Sequence, residues 1–146
     1  MALENAFRKA VAAAGAATAP VLGVDTVVAL GRRMYGKPRD AAEARATLLA
    51  LSGRAHTVIS GVCLIEESRP RTAVAITVVE FRQLGDGLID WYVDSGEWRE
   101  RAGGYAIQGR GAALVQRIEG DYLNVVGLPL ATLLELAPWL LPGAAP

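Results

Sequence analysis

The stretch Gly23-Val24-Asp25-Thr26-Val27-Val28 constrains this chain more than any other. An apolar, β-favouring run begins at Val21, and one carboxylate, Asp25, interrupts it. Read as a buried strand, the run places an acid where burial is costly unless a cation, a metal or hydrogen bonds compensate. Such an exception marks a candidate functional site. Two readings of Asp25 are open from its position. It binds a divalent cation or takes a proton from an attacking water at the end of the strand; or it caps the turn that follows, with Thr26 as its local hydrogen-bond partner.

Two further stretches supply groups that an acid could work with. Lys37, between Gly36 and Pro38, sits in a stiff turn that fixes where its ammonium points. A compact point charge of this kind suits a phosphate, although a solvated turn lysine is the commoner explanation of such a residue. The segment from Ser95 to Gly111 combines two carboxylates (Glu97 and Glu100), three arginines (Arg99, Arg101 and Arg110), the amide of Gln108 and five glycines. Acids that hold a cation beside cations that hold phosphate oxygens are the parts of a metal–polyphosphate site. Gln108 offers both a donor and an acceptor, which reading a base edge requires. Together these stretches point to a nucleotide. An exposed loop laced with weak ion pairs is the plain alternative.

Charge narrows the partners. Lys plus Arg and Asp plus Glu number 15 each, so there is no global basic field for nucleic acid. One cysteine, Cys63, and one histidine, His56, exclude a zinc site built from several of either; any metal is hard and oxygen-ligated. Cys63 lies in an apolar run and reads as a buried thiol of a reducing compartment. His56 and Ser60 fall on one side of a strand by alternation, His56 as a structural histidine and Ser60, before Gly61, as a point of close approach to a ligand. Arg8 and Lys9 ahead of an Ala-rich run resemble a signal peptide, but Glu4 and the helical spacing of Leu3, Phe7, Ala10/Val11 and Ala14 favour an amphipathic helix ended by Gly15. Leu128 to Leu141 contains Glu135 and Pro138 and is too short to span a bilayer. A cytoplasmic location without membrane contact is the expectation.

The rest of the chain reads as one mixed α/β domain. Gly31 and Arg32-Arg33 form a turn, with Met34-Tyr35 a short return. Asp40 and Glu43 form a capping box for a helix that sets Ala44, Leu48 and Leu51 on one face and ends at Gly53. Thr57–Glu66 and Thr72–Phe81 form a hairpin turning at residues 68–71. Leu88–Val93 is a short helix. Ala113–Ile118 and Tyr122–Val126 are expected to pair as a second hairpin, and Leu128–Leu140 is a closing helix with Pro129 in its first turn.

Taken in order, several motifs become recognisable: Gly23-Val-Asp25-Thr-Val-Val, Tyr35-Gly-Lys37-Pro, His56-Thr-Val-Ile-Ser-Gly-Val, Gly96-Glu97-Trp-Arg-Glu100-Arg101-Ala-Gly-Gly-Tyr-Ala-Ile-Gln108-Gly, and Asn124-Val-Val-Gly-Leu-Pro129. The chain resembles the Maf family of nucleoside triphosphate pyrophosphatases, once described as septum-formation inhibitors, over nearly all of residues 1–146. The resemblance implies a mixed-sheet α/β domain flanked by helices with a deep cleft, similar to the inosine triphosphate pyrophosphatases, and often a homodimer. It implies cleavage between the α- and β-phosphates with a divalent metal, Mg²⁺ or Mn²⁺, to give a nucleoside monophosphate and pyrophosphate.

By that resemblance Asp25 is the catalytic proton acceptor and Lys37 contacts phosphate; Arg101 is expected to stabilise phosphate charge with Lys37, and Ser60, from its place before Gly61, to contact substrate. Asp25, Glu97 and Glu100 are the metal ligands expected from the acidic segment. In the family's Glu-Pro-x-Asp-Lys-Ala-Gly pattern, Trp98 here replaces the Pro, Glu100 the Asp and Arg101 the Lys. Thr26 and Gln108 match the branch acting on dTTP and UTP, with a 7-methyl-GTP pyrophosphatase as the alternative. The family's opening strand and its Ser-x-Ser-Pro-Arg-Arg phosphate loop have no counterpart, so the fold is expected to be truncated at its N-terminus. That gap keeps a non-catalytic nucleotide-binding remnant in view; a structural partner in cell division rests on the family's old name alone.

Overall fold

The computed structural model describes residues 1–143. Ten helices and strands order the described chain: α1 (Ala2–Ala14), β1 (Val21–Leu30), β2 (Arg33–Tyr35), α2 (Ala41–Leu51), β3 (Ala55–Glu66), β4 (Arg69–Phe81), α3 (Asp86–Asp94), β5 (Val115–Glu119), α4 (Tyr122–Val126) and α5 (Leu130–Leu136), with short 3₁₀ turns between them. The strands form a single antiparallel sheet in the order β2-β1-β3-β4-β5, flanked by helices. The α/β fold class holds, with helices flanking one sheet, but that sheet is antiparallel where a mixed one was expected. Backbone contacts divide the chain into two compact units. One holds Met1–Thr26, Ile59–Ile76 and the chain from Asp121 onward; the other holds Val27–Val58 and Thr77–Gly120.

In the first unit α1 lies against the strands through its smallest residues. Ala2, Ala6 and Ala10 are buried, whereas Phe7 and Val11 remain exposed. The apolar spacing at Leu3, Phe7, Ala10/Val11 and Ala14 marks the helix correctly, but of these only Ala10 is on its packed face. The reason is close approach: a Cβ on Gly23 would sit 2.2 Å from the Ala6 carbonyl oxygen, and one on Gly61 would sit 2.4 Å from the Leu3 Cα. Ala6 and Ala10 form a small core with Cys63, supported by Val21 and Ile65. Cys63 is the buried thiol expected, and burial pushes its pKa up.

The β3–β4 turn is tighter than its sequence suggests. Glu67 and Ser68 alone make it, both with positive φ (48° and 61°), as a two-residue turn matched to strand twist demands. Pro70 falls near the start of β4 and is exposed there, a position where a missing N–H is tolerated. The expected second hairpin does not form. Val115–Glu119 pairs instead with β4, Val79 opposite Ile118. Tyr122–Val126 is the helix α4, because the Asp121 carboxylate accepts the Leu123 N–H at 2.8 Å and caps it. The closing helix also stops early: α5 ends at Leu136, and a separate 3₁₀ turn begins at Pro138, whose ring cannot continue a helix.

In the second unit α2 starts where expected, with Asp40 accepting the Glu43 N–H at 2.8 Å. The reciprocal half of the box is absent, since Glu43 turns back to the Arg39 N–H and guanidinium. Helix α2 buries Ala44, Thr47, Leu48 and Leu51 and packs against α3, where Arg45 pairs with Asp86 and Asp90.

The glycine contacts set a stability test. Gly61→Val should cost about 3 kcal/mol or more, because backbone atoms cannot yield as a side chain would. Gly87→Ala in the first turn of α3, where a Cβ meets nothing within 4 Å, should be neutral or stabilise by roughly 0.5–1 kcal/mol. Urea unfolding of the two variants beside the parent chain measures both.

Candidate active site

Asp25 lies in the middle of β1 rather than at its end. Its side chain is only 16% exposed, and both carboxylate oxygens are engaged by α1. Lys9 Nζ donates to Oδ1 at 2.6 Å and Asn5 Nδ2 donates to Oδ2 at 3.0 Å. Lys9 also reaches the Val24 carbonyl at 3.2 Å. Residues four apart share one helix face, so the helix presents a cation and an amide to the one acid of the strand. The burial cost is met by a cation and a hydrogen bond together. Asp25 as a turn cap is excluded, because no turn follows it. The Thr26 hydroxyl goes instead to Ser60 Oγ on β3, 2.8 Å away. Ser60 is fully buried, so its hydroxyl serves Thr26. Asn5 and Lys9 escaped the sequence reading; their four-residue spacing was the available signal, but their partner lies sixteen to twenty residues away.

The second unit carries the other candidate groups. The Gly103 N–H donates to the Gly36 carbonyl at 3.0 Å, tying the glycine-rich loop to the lysine turn. Gly104 comes so near Pro38 that a Cβ would lie 3.1 Å from its ring. Across this junction Lys37 Nζ donates to Glu100 Oε2 at 2.8 Å. The Lys37 ammonium holds the Glu100 carboxyl below its ordinary range. Both residues are exposed, as is Arg101, so an anionic ligand has direct access to them. Glu100 has φ 59°, a left-handed conformation uncommon for such a residue. Trp98, the replacement for the family's proline, is buried and donates its indole N–H to the Val93 carbonyl at 3.1 Å.

Glu97 behaves differently from Glu100. Its Oε2 accepts the Arg110 N–H and its Oε1 the Gly111 N–H, each at 3.1 Å. Gln108 is exposed at the tip of the adjoining turn. Among the described residues, no group of three or more His, Cys, Asp or Glu side chains gathers as a metal-binding set. The donors offered are carboxylate oxygens, which fit a hard divalent ion such as Mg²⁺.

His56 is structural. It is 2% exposed and its Nε2 lies 2.8 Å from the Tyr105 hydroxyl, with edge-on contacts to Phe81 and Tyr105. Its Nδ1 has no hydrogen-bond partner among the described residues. With the proton on Nε2, the orphan is a bare lone pair; protonation would bury an N–H without an acceptor. Burial pushes the His56 pKa down to about 4 and the Tyr105 hydroxyl above the ordinary phenol range.

One unit of this α/β protein thus carries a partly buried carboxylate fixed by a helix cation, and the other an exposed lysine–glutamate pair on a glycine-hinged loop. Its family is specific. A family model described as Maf-like protein matches residues 1–138, and the chain belongs to the Maf family. It is 49% identical over 119 residues to a dTTP/UTP pyrophosphatase of Pyrococcus furiosus, covering 82% of this chain and 63% of that one. Similar matches join it to proteins of the same name from Anaeromyxobacter dehalogenans (50% identical, 86% of this chain and 69% of the relative) and Myxococcus xanthus (52%, 82% and 64%). The chain thus spans roughly two thirds of the length of the curated relatives it matches.

The histidine sets a pH test. Its folded pKa lies below the unfolded value near 6.5, so the unfolded state binds the extra proton between about pH 6.5 and 4. Stability should be complete above that window and fall by roughly 3 kcal/mol as pH drops through it. Denaturant unfolding at several pH values should show this slope, and His56→Gln should flatten it.

Proposed function

We propose that this chain carries the catalytic residues of a nucleoside triphosphate pyrophosphatase acting on dTTP, UTP and related nucleotides. The observation that carries the reading is Asp25: a carboxylate in mid-strand, little exposed, with each oxygen held by a donor from α1. A side chain held in this way suits a proton acceptor, which must be aimed before the reaction begins. The chain is 49–50% identical to relatives named dTTP/UTP pyrophosphatase over 82–86% of its length.

In the proposed reaction a water oxygen forms a bond to the α-phosphorus while its proton passes to Asp25. The bond from that phosphorus to the α–β bridging oxygen breaks, and pyrophosphate leaves from a nucleoside monophosphate. Lys37 and Arg101 stabilise the charge that builds on the phosphate oxygens. Thr26, held by Ser60, and Gln108 contact the nucleoside. A divalent metal ion, Mg²⁺ or Mn²⁺, would neutralise triphosphate charge and polarise the phosphoryl group when bound. Of the three candidate ligands, Glu100 is assigned to it, because Asp25 and Glu97 each have both oxygens engaged, by Lys9 and Asn5 and by the Arg110 and Gly111 amides. The relatives' activity on dTTP and UTP, as their names give it, favours the pyrimidine triphosphates over 7-methyl-GTP. The proposal includes a cytoplasmic location, where such nucleotides are found, and a homodimer.

Pyrophosphate release from dTTP, UTP and 7-methyl-GTP with Mg²⁺ or Mn²⁺ tests the reading. Turnover should be fastest on dTTP or UTP, and Asp25→Asn should lower it by about 10³-fold while keeping the circular dichroism of the parent. Full activity in Asp25→Asn would remove Asp25 from the mechanism. A folded parent chain that binds dTTP without releasing pyrophosphate would make it a nucleotide-binding protein. Lys37→Met should raise KM for the triphosphate roughly tenfold or more through the lost phosphate contact.

A further inference from the structure

The turn that presents Gln108 is held on both flanks by buried or partly buried side chains. The Gly109 N–H donates to the Ala106 carbonyl at 3.1 Å, which closes a turn with Ile107 and Gln108 at its centre. Ile107 is buried and Gln108 exposed, so the turn has one anchored and one free side chain. Ahead of it, the Ala106 N–H donates to the Tyr92 hydroxyl at 2.9 Å. Behind it, the two Glu97 oxygens take the Arg110 and Gly111 amides. Gly109 lies so close that a Cβ there would be 2.6 Å from the Glu97 carboxylate. Tyr92 and Glu97 also interact: burial raises the Tyr92 hydroxyl pKa, and the nearby carboxylate raises it further by charge and hydrogen bonding.

We infer that Glu97 is a positioning residue: its carboxylate holds the 106–111 turn so that the Gln108 amide is pre-aimed at the nucleobase. The inference rests on the function proposed above and assigns Glu97 a role in base recognition. The chemistry favours this over metal ligation. A carboxylate accepting one backbone N–H at each oxygen makes two charge-assisted hydrogen bonds, and a backbone so fixed has little left to order when a base binds. A free Gln side chain on a mobile turn would lose that ordering entropy on every binding event.

Two measurements decide it, both on the whole chain with Glu97→Ala and Glu97→Gln. Amide hydrogen exchange without nucleotide should speed up at Arg110 and Gly111 by at least about tenfold in Glu97→Ala and by less in Glu97→Gln, which keeps one acceptor. In steady-state assays, Glu97→Ala should raise KM for dTTP roughly tenfold, keep kcat within about threefold and narrow the preference for dTTP over GTP. The Mg²⁺ concentration for half-maximal rate should not move. Unchanged exchange at Arg110 and Gly111 overturns the inference, as does a collapse of kcat with a raised Mg²⁺ requirement, the signature of a metal ligand. If the parent chain turns over no triphosphate, the proposed function fails by itself. Exchange, together with a dTTP titration read on the Gln108 side-chain amide by NMR, then decides the role of Glu97: weaker dTTP binding in Glu97→Ala supports it, and equal binding overturns it.

Discussion

Helix α1 reaches Asp25 because Gly23 on β1 and Gly61 on β3 leave room for its backbone. With any side chain at either glycine, the Ala2, Ala6 and Ala10 face would be pushed outward. Asn5 and Lys9 ride on that helix, so the same displacement would withdraw both donors from the carboxylate. An apolar packing constraint therefore sets an electrostatic geometry. The acid is tolerated in mid-strand only while the helix stays close, since the partial burial of an unpaired carboxylate is unfavourable.

The second unit solves a different problem. Residues 95–111 contain little regular structure, so helical or sheet hydrogen bonds cannot order them. Their order comes from scattered polar anchors: Gly36 to Gly103, Tyr92 to Ala106, His56 to Tyr105, and Glu97 to the Arg110 and Gly111 amides. Positive φ at Gly96, Gly103 and Gly104 lets the backbone fold between these points. The exposed Lys37–Glu100 pair adds little to stability. Its effect is local, keeping two opposite charges together on a rim that solvent, and hence an anionic ligand, can reach.

These two devices suit the chemistry proposed. Phosphoryl transfer asks little covalent work of a protein and depends on positioning and charge. Asp25 is positioned by a helix, Lys37 by a turn pinned to the loop, and the Gln108 turn by a carboxylate and a phenol. The chain's membership of the Maf family and its likeness to proteins named dTTP/UTP pyrophosphatase fit a protein whose conspicuous residues are acids, cations and one glutamine, each with its backbone or side chain restrained.

Local patterns carried much of the architecture. The Val21–Leu30 strand, the Asp40 cap, the long hairpin and α3 are legible because hydrophobic period, caps and turn residues act within a few positions of the chain. The errors fall where local signals compete. Tyr122–Val126 is a short apolar run with no decisive period, and the Asp121 cap made it a helix. Pro138 divided the closing helix, and Glu67-Ser68 turned the hairpin earlier than Pro70 suggested. The residues proposed to handle phosphate and base were likewise singled out in one dimension, since Asp25, Lys37, Arg101 and Gln108 stand out by chemistry alone. Only the tertiary structure decided what holds them: Lys9 and Asn5 on Asp25, Ser60 on Thr26, and Glu97 on the Gln108 turn. Those partners lie far apart in the chain or bind backbone amides, and which donor meets which acceptor is settled by packing, on which composition and period are silent.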